Sequence, residues 1–404
     1  MRIEILYRTS YNGDEVCMKG EMNMRILMLS ANIGEGHNSS AKAVMDVMRS
    51  RGVECELLDC LAFLSPSFSK FVSDWHTRLY RYGGGIFDAG YRFCENTARP
   101  EGFNLLYELL SLGAGKLRDL IKENGYSAIA CVHPFAGIMV TEVRKNWGLE
   151  IPTFLIATDY TFTPTVEQCK MDTFFVPAQE LSKDFAAMGI SKEHQHVCGI
   201  PVRMEYYEKA DQAQVRQKLH LPEDATVVLV MCGSMGCGPI QKIAAETLEQ
   251  MPDNAVMVAI CGRNKKLQEE MEKMEDRRLR VLGYIQNFSE YLDAADLIIT
   301  KPGGLSSTEA ANKHVPMVFI NAVGGCENRN FDHFVKKGYA IGSKDPAAVV
   351  RHAIRMTWDK AGREKMKTTL QRDFYNNTTL EITDFIMSAT KARRKKRIKL
   401  KSGE

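Results

Sequence analysis

The chain states one structural phrase twice. An apolar run, MRILMLS (24–30), leads into a glycine-bearing turn, ANIGEGHN (31–38). SSAKAVMDVMRSRG (39–52) follows, with apolar residues at helical spacing and Gly52 at its end. VECELLD (53–59) then alternates as a second strand. Such a strand–helix–strand unit implies a parallel sheet. The phrase returns at ATVVLVMCGSMGCG (225–238), with a helix expected over 240–250. Further strands are expected at 127–133, 152–159, 172–178 and 194–201 in the first half. The second half adds 255–262, 278–284, 297–304 and 316–321, with helical stretches between them. The pattern restricts the fold to the α/β class, as two parallel-sheet halves.

A chain of 404 residues is long enough for two or three domains. We divide it into an N-terminal extension at 1–23, read as the product of an upstream start codon, and a first α/β domain at 24–201. A charged hinge follows at 202–222, then a second α/β domain at 223–345, helices at 346–390 that cross back to the first domain, and a basic tail at 391–404. Residues 61–122 interrupt the first domain with a long aromatic and basic segment.

Composition excludes several classes. The hydrophobic fraction is 45% and the charged fraction 25%, values of a globular protein rather than a disordered one. No run approaches the ~18 apolar residues of a membrane span, and the N-terminus lacks a secretory h-region. Eleven cysteines without a C-x-x-C pair read as reduced cytosolic thiols rather than a disulfide or zinc framework. The net charge of +3 hides an asymmetry: the last fourteen residues hold eight Lys/Arg against one Glu, leaving the remainder at −4. A mildly acidic body argues against nucleic acid, and any polyanion affinity belongs to the tail.

Four turns at strand ends carry candidate chemistry. In GEGHNSSA (34–41), Gly34 and Gly36 allow close approach of a ligand to a helix N-terminus. Ser39 breaks the dinucleotide fingerprint, and no suitably placed acid follows. His37 reads either as a general base facing the cleft or as a cap on its own helix. CGSMGCG (232–238), with Gly233 and Ser234, fits a phosphate-bearing ligand or a tight structural turn. In TKPGGLSSTEAA (300–311), Glu309 either caps its helix or takes hydrogen bonds from a ribose diol. VGGCENRN (323–330) offers Glu327, Asn328 and Asn330 to sugar hydroxyls, or is a solvated turn. His133 and Asp159 stand at first-half strand ends, as cleft or structural residues. No metal-spaced His or Asp set is evident, so no metal site and no cofactor are expected. Four such turns across two α/β halves imply a site in the cleft between them.

These stretches, together with FFVPAQELSKDFAAMGISKEHQHVCGIPVR and GYIQNFSEYLDAADLIITKPGGLSSTEA, carry a resemblance. The sequence resembles glycosyltransferases related to monogalactosyldiacylglycerol synthase and the bacterial processive diacylglycerol glucosyltransferases. It is more distantly similar to the enzyme that adds N-acetylglucosamine to undecaprenyl lipid. The resemblance runs collinearly over roughly 24–340. It implies a GT-B fold of two Rossmann-like parallel-sheet domains facing across a cleft, with a lipid acceptor on the first domain and a UDP-sugar on the second, and an inverting, metal-independent transfer. It makes His37 the base, puts Tyr284 and Ile285 at uracil, and puts Gly304, Leu305 and Ser306 at the diphosphate. It further puts Glu309 at the ribose and Glu327 and Asn330 at the hexose. Cys326 stands where the family has Gln, which leaves the hexose open.

Transfer of a hexose from a UDP-sugar to a membrane lipid, diacylglycerol or glycosyldiacylglycerol, is the leading expectation. The alternatives are N-acetylglucosamine transfer to a polyprenyl-linked acceptor, a UDP-N-acetylglucosamine 2-epimerase-like enzyme, and a non-catalytic nucleotide-sugar or lipid-binding protein. A lipid acceptor implies a cytoplasmic protein held peripherally at an anionic membrane. The basic residues of 391–401 would dock it, together with segment 61–93, where Trp75, Tyr80, Phe87, Arg78, Arg81 and Arg92 would reach headgroup level.

Overall fold

The structure, a computed structural model, describes residues 24–82, 105–236, 238–320 and 324–402. The N-terminal stretch 1–23, and Phe87 and Arg92 of the aromatic segment, lie outside the described residues.

The first half runs β1 (Arg25–Ser30), α1 (Glu35–Ser50), β2 (Glu54–Asp59), α2 (Pro66–Tyr82), α3 (Leu105–Ser111), α4 (Ala114–Asn124), β3 (Ala128–Cys131) and α5 (Pro134–Trp147). It continues through β4 (Thr153–Ile156), β5 (Thr173–Val176), α6 (Ser182–Ala187) and β6 (Gln195–Val197). These strands form one parallel sheet in the order β2-β1-β3-β4-β5-β6. Both faces are covered, which is why the strands read as unbroken apolar runs. In β1, Ile26 and Met28 face a core shared with α1, whereas Leu27 and Leu29 face the core under α4 and α5.

The second half runs α7 (Gln212–Lys218), β7 (Thr226–Met231), α8 (Ile240–Leu248), β8 (Ala255–Ile260), α9 (Lys265–Glu272), β9 (Leu279–Leu282), α10 (Phe288–Ala294) and β10 (Leu297–Thr300). Then come α11 (Gly304–Asn312), β11 (Met317–Phe319), α12 (Cys326–Lys337) and β12 (Ala340–Gly342), followed by α13 (Pro346–Trp358), α14 (Lys360–Asp373) and α15 (Thr378–Ser402). Its parallel sheet has the order β12-β11-β10-β7-β8-β9. The stretch 202–222 packs into this second core through Tyr206, Val215 and Leu221.

The last helix returns to the first half. Ile382 and Ile386, one turn apart and fully buried, join the core of Ile26, Val44 and Met48. Glu381 meets His196 Nε2 at 2.8 Å, and Asp384 pairs with Arg51. The basic run is part of this helix up to Ser402. Arg393 donates to the carbonyl of Glu150, just before β4 begins. That contact lies at the amino ends of the strands.

In each sheet the strand order reverses beside the first strand of the half, between β1 and β3 and between β7 and β10. Such switch points leave a crevice at the carboxyl ends of the strands. The two crevices face each other.

Candidate active site

Both crevices open into one cleft of about 560 Å³. On the first half its wall includes Gly34, Gly36, His37, His133, Thr158 and Asp159. On the second half it includes Gly233, Ser234, Tyr284, Ile285, Lys301, Gly304, Leu305, Ser306, Glu309, Cys326 and Glu327. Among the sequence candidates, Asn328 and Asn330 are absent from this wall.

Gly34 begins α1 at φ +85°, a left-handed conformation that favours glycine. It turns the first helical N–H groups toward the cleft. His37 lies in that first turn. Its Nδ1 is 3.0 Å from the carbonyl oxygen of Val132, at the end of β3, and 2.7 Å from Thr158 Oγ1. A carbonyl only accepts, so Nδ1 carries the hydrogen. In the neutral ring the lone pair is then on Nε2, the arrangement a general base requires. His37 does not act as a cap through this nitrogen. His133 does cap: its Nδ1 accepts from the Phe135 N–H at 3.1 Å and starts α5, while its ring meets His37 edge-on at 4.8 Å between centroids. It is both a cleft residue and a structural one.

On the second half, Gly304 opens α11 directly against the first half. A Cβ there would stand 2.2 Å from the Thr158 carbonyl oxygen and 2.8 Å from Asp159 Oδ1. Leu305 comes next, its Cβ 3.8 Å from where a Cβ on Gly36 would be. The N-termini of α1 and α11 therefore converge on one volume, and both carry the positive end of a helix dipole. The 232–238 turn is interlocked with the loop after β8. Gly236 and Gly262 both have positive φ, and a Cβ on either would meet a carbonyl of the other loop at 2.2–2.3 Å. The turn is thus a tight structural one, and its Gly233 and Ser234 also line the cleft.

Glu309 lies inside α11 and is 8% exposed, so it is not a helix-start residue. Burial pushes its carboxyl up to about 8, against the pull of the Arg203 guanidinium and a hydrogen bond from Tyr206. Arg203 Nη2 in turn reaches the Tyr206 hydroxyl at 3.2 Å. Neither Arg203 nor Tyr206 was singled out from the sequence. Lys301 was also missed. Its ammonium pairs with Glu327 Oε1 at 2.8 Å, deep in the cleft, and its stem lies against Gly233, where a Cβ would be 2.9 Å from Lys301 Cε. The motif did contain a signal for it, a lysine between an apolar strand and a glycine pair.

Tyr284 is 54% exposed and lies under the Arg263 guanidinium, 5.0 Å from its ring centroid. Arg263 also spans the cleft mouth to Glu35 Oε1 at 2.8 Å. Asn330 was expected at the hexose but is wholly buried and committed elsewhere. Its amide donates to Asp159 Oδ1 at 2.8 Å and to the Pro302 carbonyl at 3.1 Å, and its oxygen accepts the Tyr160 N–H at 2.7 Å. It pins the two halves together. Asp159, beside it, is raised to about 6 by burial.

On the outer side of the first half, Leu106 reaches the cleft wall while Leu105, Leu109 and Leu112 face outward. Phe71 and Trp75 stand stacked on α2, 63% and 54% exposed, with ring centroids 6.3 Å apart. The start of α2 is held at the cleft end of the sheet: Asp59, which ends β2, accepts from Asn32 N–H and bonds Ser69 Oγ.

Residues 37–202 match the family model for monogalactosyldiacylglycerol (MGDG) synthase, and residues 227–352 match that for the glycosyltransferase family 28 C-terminal domain. A processive diacylglycerol beta-glucosyltransferase of Bacillus licheniformis is 27% identical over 369 residues, covering 90% of this chain and 95% of that protein. Among solved structures, MurG of Acinetobacter baumannii has a TM-score of 0.63 at 15% identity, covering 90% of this chain and 99% of its own. A UDP complex of MnaA from S. aureus has a TM-score of 0.58 at 13% identity, covering 90% of this chain and 96% of its own. These two likenesses are of fold. With the two family models matching in consecutive order across both halves, the chain belongs to the family 28 glycosyltransferases, a sugar-transferring enzyme of GT-B architecture.

Proposed function

We propose that the enzyme transfers a hexose from a UDP-sugar to a hydroxyl of a membrane lipid, diacylglycerol or a glycosyldiacylglycerol, with inversion and without a metal ion. The observation that carries this reading is His37, its Nδ1 fixed by the Val132 carbonyl, across one cleft from the Gly304 turn and Glu309. In this reaction Nε2 of His37 takes the hydroxyl proton as the acceptor oxygen bonds the anomeric carbon. The bond to the diphosphate oxygen breaks, and its electron pair leaves with UDP. The N-termini of α1 and α11 and the Lys301 ammonium supply positive potential for that leaving charge. Glu309 receives the ribose hydroxyls, and Tyr284 and Ile285 flank the uracil. Glu327 and Cys326 border the hexose.

The apolar rim at Leu105, Leu109 and Leu112 and the stacked pair Phe71 and Trp75 support a lipid acceptor delivered from a bilayer surface. The named substrate of the Bacillus licheniformis relative supports diacylglycerol in particular. No helix among the described residues is long and apolar enough to cross a membrane, and docking at its surface is the arrangement we favour.

The test is transfer from radiolabelled UDP-glucose, UDP-galactose or UDP-N-acetylglucosamine to diacylglycerol in mixed micelles, with and without chelator. His37→Ala should lower turnover by about 10²–10⁴-fold with UDP affinity nearly unchanged. Turnover by that variant near the wild-type level would remove His37 from the chemistry. Loss of activity in chelator would overturn the metal-free reading.

A further inference from the structure

The turn that follows β4 touches both halves of the enzyme within three residues. Thr158 Oγ1 is 2.7 Å from His37 Nδ1. The next residue, Asp159, accepts from the Asn330 amide at 2.8 Å. The one after, Tyr160, gives its N–H to Asn330 Oδ1 at 2.7 Å, and its hydroxyl meets Thr308 Oγ1 at 3.0 Å. Thr158 itself is seated from behind, because its carbonyl closes on Gly304 at a distance only a glycine tolerates. The close seat of its carbonyl on Gly304 and the Asn330 bonds to the next two residues tie the place of the Thr158 backbone to the other half.

We propose that Thr158 is a positioning residue for His37, and that the turn 157–160 makes the orientation of the base conditional on the seating of the donor half through Asn330. The inference rests on the reading of His37 as the base. The threonine oxygen shares the Nδ1–H with the Val132 carbonyl, and the two together hold one tautomer and one ring orientation. When Nε2 takes the acceptor proton, the same two oxygens face the imidazolium N–H and stabilise it. With the donor half unseated, Asp159 and Tyr160 lose Asn330, and the threonine loses its fixed place. The base is then aligned only when the halves that carry acceptor and sugar have met, which limits transfer of the sugar to water.

The experiment is steady-state kinetics with the UDP-sugar that turns over, in parallel with UDP affinity, for Thr158→Val, Thr158→Ala, Thr158→Ser, Asn330→Ala, Thr158→Val/Asn330→Ala and His37→Ala. Thr158→Val and Thr158→Ala should lower kcat by about 10–100-fold, with donor KM and UDP affinity unchanged, and Thr158→Ser should recover most of it. Asn330→Ala should also lower kcat, and the double variant should lose clearly less than the product of the two single losses. Wild-type kcat in both the valine and alanine variants, no rescue by serine, or multiplicative losses in the double variant would each overturn the proposal. A fully active His37→Ala would overturn it together with the reading it rests on. An inactive His37→Ala beside an unimpaired Thr158→Val would overturn the positioning role alone.

Discussion

Glu309 is a carboxyl that burial keeps protonated near neutrality, at about 8, although Arg203 and Tyr206 favour its charged form. Ribose hydroxyls donate best to a carboxylate, so a bound UDP-sugar favours the ionised state and lowers that value. Binding therefore expels a proton, and affinity should rise as pH climbs from 6 to 8 and level off above. A UDP-sugar has no titrating phosphate in this window, so the slope belongs to the protein. Calorimetry at pH 7 in buffers of different ionisation enthalpy should report proton release, and Glu309→Gln should abolish it. Glu309→Ala should cost about 1.5–3 kcal/mol in affinity for UDP and UDP-sugar alike; unchanged affinity would leave Glu309 as a core residue. Its position was legible because it lies nine residues into a motif opened by a strand and a glycine pair. Arg203 and Tyr206 were not, because roughly a hundred residues separate them from the carboxylate they serve and no spacing rule reaches that far along the chain. Asn330 was misjudged because its partners lie in the other half. A polar residue after a glycine-rich turn reads as ligand-facing, and only the tertiary structure reveals that Asp159, Tyr160 and Pro302 already satisfy its amide.

At the scale of elements, the turns decide how closely the halves meet. Gly304 has no unusual φ; its requirement is space, since a Cβ would stand 2.2 Å from the Thr158 carbonyl. Backbone cannot yield as a flexible side chain would, so Gly304→Ala must part the α11 turn from the 157–160 turn. The expected cost of such overpacking is about 1–3 kcal/mol. It falls on the closed arrangement rather than on either core, because the glycine touches neither sheet's interior. Turnover should fall at least tenfold while the melting temperature changes little, as read by kinetics and calorimetry on the same protein. A large drop in melting temperature with turnover preserved would contradict this division. Most elements were legible from periodicity, since doubly covered strands are unbroken apolar runs between glycine turns. The strand β12 was not: Ala340–Gly342 is three residues long, too short to show a period, and is a strand only because it pairs with β11. The helix of the basic run was missed because its charged residues show no apolar stripe, and its helicity continues from the buried part of α15.

Over the whole molecule, α15 divides into two parts with different duties. Up to Thr390 it closes the first core, where Ile382 and Ile386 are fully buried and Phe385 packs on Phe154 and Phe175. Each buried isoleucine is worth about 1.5–3 kcal/mol, so removing the helix from Thr378 would forfeit much of a net stability of ~5–15 kcal/mol. Beyond Thr390, Arg393, Arg394, Lys395, Lys396 and Lys399 are exposed, and their loss should leave the melting temperature within a few degrees. The basic run and the aromatic pair on α2 also sit at different ends of the first sheet, the former by the Glu150 carbonyl and the latter on the cleft side. Attraction of exposed lysines and arginines to anionic lipid contributes about 1 kcal/mol per residue and is screened within roughly 10 Å at 0.1 M salt. Apolar insertion by Phe71 and Trp75 is not screened in this way. Deleting 391–404 should therefore remove most of the salt-sensitive part of binding to vesicles containing anionic lipid. Phe71→Ser with Trp75→Ser should instead remove the part that survives high salt, and with it transfer to lipid presented in vesicles, but not to acceptor dissolved in detergent micelles. Sedimentation of the two variants with vesicles at low and high salt separates the contributions. Loss of the salt-resistant part in the 391–404 deletion, with none in the aromatic variant, would mean that the basic helix, and not the aromatic face beside the cleft, seats the enzyme on its acceptor.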